Sequence, residues 1–71
     1  MWSKGTIDGY SYCAKHYEVG SHYGIGGVGR ISKLEIRKGG RLLYNYDRGL
    51  DFDNLDAAGR QVYKKILARF N

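Results

Sequence analysis

Seventy-one residues, with twelve Lys and Arg against seven Asp and Glu for a net charge of +5, make one small basic domain and leave no room for a second. The single cysteine excludes an internal disulfide, and no apolar run reaches the roughly 18 residues of a spanning helix. A core of this size supplies only about 3–5 kcal/mol, so a metal, a partner subunit or unusually good packing has to supplement it.

The first ten residues, MWSKGTIDGY, lack the apolar run of a signal peptide. With the lone Cys13, this predicts a soluble chain in the cytoplasm of the host cell. Asp8-Gly9 lies between two strand-like stretches, Trp2–Ile7 and Tyr10–Tyr17, and is the pair that a two-residue hairpin turn demands. That register puts Ile7, Tyr10, Tyr12 and Ala14 on one face, and Trp2, Lys4, Cys13, Lys15 and Tyr17 on the other.

Gly20–Arg30 (GSHYGIGGVGR) is nearly half glycine. Its Gly24–Gly29 run fits G-x-G-x-x-G in letters only, because Arg30-Ile31-Ser32-Lys33 continues as strand and opens no helix. Two readings stay open for the loop: a flexible connection, or a nest of glycine amides that holds an anion with His22, Tyr23 and Arg30 nearby.

A second hairpin is predicted from Arg30–Arg37 and Leu42–Tyr46 around Gly39-Gly40. A two-residue turn there sets Ile36 opposite Leu43, with Leu34, Ile36 and Leu43 inward. Ile31, Lys33, Arg37, Leu42, Tyr44 and Tyr46 then face outward. Asp47–Asn54 (DRGLDFDN) reads as turn. From Asp56, the spacing of Leu55, Gly59, Val62, Ile66 and Phe70 predicts an amphipathic helix. Asp53, Asn54 or Asp56 can cap its start, Lys64, Lys65 and Arg69 suit its end, and Gly59 marks a close approach to a strand.

These elements predict an α+β fold: two β-hairpins forming a small antiparallel sheet with one C-terminal helix on one face, a single domain over residues 1–71. The sheet's second face is left without cover. It is expected to display Trp2, Tyr17, Tyr44 and Tyr46 among Lys4, Lys15, Lys33 and Arg37. Rings beside cations suit nucleotide bases and phosphates, and equally suit a protein surface or a second copy of the chain.

No metal site or cofactor is expected. Cys13, His16 and His22 lack a fourth ligand, and strand alternation sends Cys13 and His16 to opposite faces. The same separation removes them as a nucleophile and base, so no catalytic residue is assigned.

Lys4-Gly5-Thr6, Ala14-Lys15-His16-Tyr17, Tyr23-Gly24-Ile25, Gly29-Arg30-Ile31-Ser32-Lys33-Leu34 and Asn45-Tyr46-Asp47-Arg48-Gly49 resemble runs in a family of short uncharacterised proteins from Gram-positive gut bacteria, their phages and mobile elements. The resemblance reaches to about Asp51, and members commonly have tryptophan where Leu50 stands. It implies a mobile-element setting, in which small basic proteins counter host defence by binding a host protein or a nucleotide-type signal. It brings in Arg48 beside Arg30, Lys33 and Tyr46. The expected function is therefore a non-catalytic binding protein acting through Trp2, Lys15, Tyr17, His22, Tyr23, Arg30, Lys33, Arg37, Tyr44, Tyr46 and Arg48. Its expected partner is a host protein or a phosphate-bearing small ligand, with nucleic acid or homodimerisation as the alternatives.

Overall fold

In the computed structural model, which describes all 71 residues, Asp8 and Gly9 take φ of 51° and 83° and close a two-residue turn between β1 (Trp2–Ile7) and β2 (Tyr10–His16). Ile7 faces Tyr10 and Trp2 faces Lys15, the register that the turn dictates. Gly39 and Gly40, at φ of 57° and 78°, close the second turn, between β3 (Ile31–Lys38) and β4 (Arg41–Asp47). All neighbouring strands run antiparallel, in the order β1-β2-β3-β4-β5.

The second hairpin departs from the expected register two pairs past its turn. Lys38 faces Arg41 and Arg37 faces Leu42, but Ile36 then faces Tyr44 and Leu34 faces Tyr46. Leu43 is the extra residue of a β-bulge. Strict alternation would put Leu43 inward and leave both tyrosines in water. The bulge buries all three, with Tyr44 only 2 % exposed. Burying a large apolar side chain stabilises by about 1.5–3 kcal/mol, so covering two rings outweighs one irregular rung in the ladder. A second shift, between Lys15 and His16, pairs His16 with Ile31 and turns Ile31 inward, where it is fully buried.

The segment read as turn contains a strand, β5 (Leu50–Asp53). It pairs with β4, and the sheet has five strands where two hairpins predict four. All four of its residues are exposed, so this edge strand has none of the buried apolar alternation that marks a strand in sequence.

The helix α1 (Ala57–Phe70) begins at Asp56, whose carboxylate accepts the Gly59 amide at 2.6 Å. Gly59, Val62 and Ile66 face the sheet and are buried. A Cβ on Gly59 would stand 3.2 Å from the Tyr10 ring, so glycine here lets the helix approach β2. The core joins Val62 and Ile66 to Tyr10, Tyr12, Ala14, Leu34, Ile36, Tyr44 and Tyr46. Tyr63 lies against Tyr44 with ring centroids 5.0 Å apart, and Phe70 lies against His16 at 4.8 Å. No helix is long and apolar enough to cross a membrane.

Candidate functional site

The sheet face away from α1 carries Trp2 and Lys4 from β1, Cys13 and Lys15 from β2, Lys33, Glu35 and Arg37 from β3, and Asn45 and Asp47 from β4. Their pairing across the ladders follows from Lys4 opposite Cys13, Lys15 opposite Lys33, and Lys33 opposite Asp47. Tyr44 and Tyr46 are absent from it. Both were expected there, and the bulge at Leu43 moves them beneath the helix. The outward face therefore has fewer rings and more mixed charge than alternation predicts. Glu35 shares strand parity with Lys33 and Arg37, a signal that was present in the sequence. It lies 3.7 Å from Arg37.

Residues 17–30 join β2 to β3 and fold back on themselves. The Tyr17 amide donates to the Arg30 carbonyl, Ser21 to Gly29, Gly24 to Ser21 and Gly27 to Gly24. The Gly24 and Gly27 amides therefore point into the loop and are not free to cradle an anion. A Cβ on Gly24 would collide with the Gly29 carbonyl, and one on Gly29 with the Asn71 side chain. Asn71 clamps the loop to the helix end: its side chain accepts from the Ile31 amide at 3.0 Å and donates to the Ile25 carbonyl at 3.3 Å. Ile25 is buried beneath. This glycine loop is closed on itself and anchored to the helix end.

The Tyr23 backbone is held from two sides while the residue stays 59 % exposed. Its amide donates to Ser21 Oγ at 3.2 Å, and its carbonyl accepts from the buried Tyr46 hydroxyl at 3.0 Å. Beside it, Lys15, Tyr17, Val19, Ser21, Ser32, Lys33 and Arg48 line a hollow of about 430 Å³. Five of the residues singled out in the sequence meet here: Lys15, Tyr17, Tyr23, Lys33 and Arg48. Ser21 and Ser32 were not foreseen, since nothing in their local pattern marks them.

Three cations meet in this place, and two of them share one carboxylate. Asp47 lies 3.8 Å from Lys33 and 3.7 Å from Arg48, and every partner is substantially exposed. Lys15 has no carboxylate partner. Its ammonium sits 5.8 Å from the Trp2 ring centroid and 5.9 Å from that of Tyr17. Trp2 thus borders the hollow through Lys15.

The other expected residues lie apart. Arg37 sits four residues along β3 from Lys33, about 13 Å away, with its guanidinium on the Gly40 carbonyl at 3.3 Å. Arg30 lines a separate hollow with Met1, His16, Tyr17 and Glu18. His22 lines another, with Tyr23 and Val28.

The helix-side polar groups are engaged in the fold. Asp56 accepts the Tyr10 hydroxyl at 2.7 and 2.9 Å as well as the Gly59 amide. The Tyr10 bond and then the Gly59 amide hold its carboxyl below the ordinary value, and the same bond raises the Tyr10 hydroxyl. Burial raises Tyr44 and Tyr46. His16 lies on the opposite face from Cys13, as alternation predicts, with Nε2 2.8 Å from Ser3 Oγ. Burial first, then the amino terminus and Arg30, lowers its pKa.

The family described as Domain of unknown function (DUF7678) matches residues 1–71, and the chain belongs to it. No curated protein and no solved structure matches the chain.

Proposed function

We propose that this DUF7678 member is a non-catalytic binding protein whose open sheet face and loop end take an anionic partner. The observation that carries the reading is the gathering of Lys15, Lys33 and Arg48 along one hollow, with Asp47 paired to Lys33 and Arg48 and no carboxylate on Lys15, beside the exposed rings of Tyr17 and Tyr23. Net charge of one sign in a concave place attracts a partner of the other. The family resemblance of the G-R-I-S-K-L and N-Y-D-R-G runs supplies a setting: an accessory protein of a phage or mobile element that antagonises host defence in the host cytoplasm. It would do so by holding a host protein or a nucleotide-type signal.

Retention on immobilised polyphosphate across a salt gradient tests the face. Lys15→Glu with Lys33→Glu should elute at much lower salt than Arg41→Glu with Lys64→Glu, which changes net charge equally at exposed positions outside the hollow. Equal losses in the two pairs would reduce the effect to net charge and remove the face as the binding surface.

A further inference from the structure

We infer that the hollow between β2, β3, Arg48 and the glycine loop is a site for a single nucleotide, its phosphates on the cations and its base on a tyrosine ring. The inference rests on reading the open face as a binding surface, and it names the ligand class for one end of that face.

Lys15, Lys33 and Arg48 converge from β2, β3 and the β4–β5 turn, so three separate parts of the backbone aim positive charge at one volume. The Asp47 contacts at 3.7 and 3.8 Å are long and exposed, and such pairs yield readily to a phosphate, which offers more oxygens and more charge. Arg48 has a φ of 57°, a left-handed conformation uncommon outside glycine. Its amide is tied to the Ser32 carbonyl at 2.8 Å, which holds the residue against β3. Ser21 and Ser32 add hydroxyls to the same wall.

The aromatic part is equally organised. The Tyr23 backbone is held by Ser21 and by Tyr46, so an exposed ring stands in a fixed place without losing its freedom to stack. Tyr17 adds a second ring to the hollow, 5.9 Å from the Lys15 ammonium. A ring and phosphates joined through a sugar match this pairing, and about 430 Å³ lies within the roughly 300–1,000 Å³ of small-ligand clefts.

The remainder of the face argues for a small ligand over a strand of nucleic acid. A backbone running from Lys33 towards Arg37 would cross Glu35, whose carboxylate is already set against Arg37, and the uncharged Asn45 opposite. Cations that track a strand form a continuous groove, whereas here Glu35 breaks the run between Lys33 and Arg37.

Calorimetric titration with ADP, adenosine and inorganic pyrophosphate tests the assignment. ADP should bind one to one and about tenfold or more tighter than either fragment. Tyr23→Leu should bring ADP down towards pyrophosphate while leaving pyrophosphate unchanged, and Lys15→Met or Arg48→Gln should weaken both. Lys64→Gln on the helix should change neither, and a thermal melt of each variant confirms that it is folded. Equal affinity for ADP and pyrophosphate would overturn the nucleotide assignment and leave a plain anion site. Tighter binding of a twelve-nucleotide single strand than of ADP would overturn it in favour of nucleic acid. No binding of any of the four, with salt-sensitive retention on polyphosphate intact and specific to Lys15 and Lys33, would overturn the nucleotide site while the open-face reading survives.

Discussion

The Tyr46 hydroxyl donates to the Tyr23 carbonyl at 3.0 Å, so a ring buried beneath the helix fixes the position of a ring exposed in the glycine loop. The residue expected to touch a partner instead positions one that can.

Replacing Tyr46 with Phe removes that bond and leaves the core ring in place. Stability should fall by about 0.5–1.5 kcal/mol, the ordinary net worth of one hydrogen bond. Amide exchange should accelerate most at Gly24 and Gly27, whose protons are held within the loop, while Val62 and Ile66 should accelerate only by the factor that the loss of global stability sets. Nuclear magnetic resonance exchange rates on the two proteins measure both.

The bulge at Leu43 makes opposite demands on two aromatic residues that alternation would have treated alike. Tyr44→Ala should cost about 3–5 kcal/mol, because it opens a cavity against Tyr63 in a chain with little stability to lose. Trp2→Ala, at a position 54 % exposed, should leave the urea midpoint within about 0.5 kcal/mol of the parent. A fully folded Tyr44→Ala protein would contradict the register described here.

Much of this fold was legible because local chemistry decided it. Asp8-Gly9 fixed one hairpin through its backbone angles, and Asp56 with the Gly59, Val62 and Ile66 spacing fixed the helix start and its buried stripe. Gly39-Gly40 also formed its turn, yet the register beyond it changed, because burying Tyr44 and Tyr46 together is a tertiary gain that turn geometry does not encode. The strand β5 escaped notice for a related reason: an exposed edge needs only a neighbour's free amides and carbonyls, not a pattern of its own. At the site, Lys15, Tyr17 and Lys33 followed from strand parity. Tyr23 and Arg48 join them only once the loop closes on Asn71 and β4 turns into β5, and both contacts are long-range.

Gly24 in the loop and Gly49 in the β4–β5 turn differ in what they make possible. Gly24→Ala forces a methyl group into the Gly29 carbonyl and should destabilise by about 1–3 kcal/mol, seen as a lower thermal midpoint and an opened loop. Gly49→Ala meets no atom within 4 Å and should be close to neutral. Equal effects would mean that the loop does not close as described.

Two groups predict how stability responds to acid. The folded protein holds His16 below its ordinary 6.5, so the unfolded chain binds the proton more readily. Stability should therefore be level above that pH and decline as pH falls below 6.5 towards the folded value. Asp56, held below its ordinary 3.8 by Tyr10, contributes stability that is present above 3.8 and is lost as pH drops through its folded value. Urea denaturation from pH 8 to 3 should show both declines. His16→Gln should remove only the first, and Tyr10→Phe should diminish the second.

The location of binding is tested most directly by amide chemical shifts of the labelled protein during titration with ADP. Perturbations confined to Lys15, Tyr17, Tyr23, Lys33, Arg48 and their immediate neighbours are the predicted result. Shifts centred on the solvent side of the helix, around Gln61, Lys64 and Ala68, or no saturable shifts in the hollow, would contradict it.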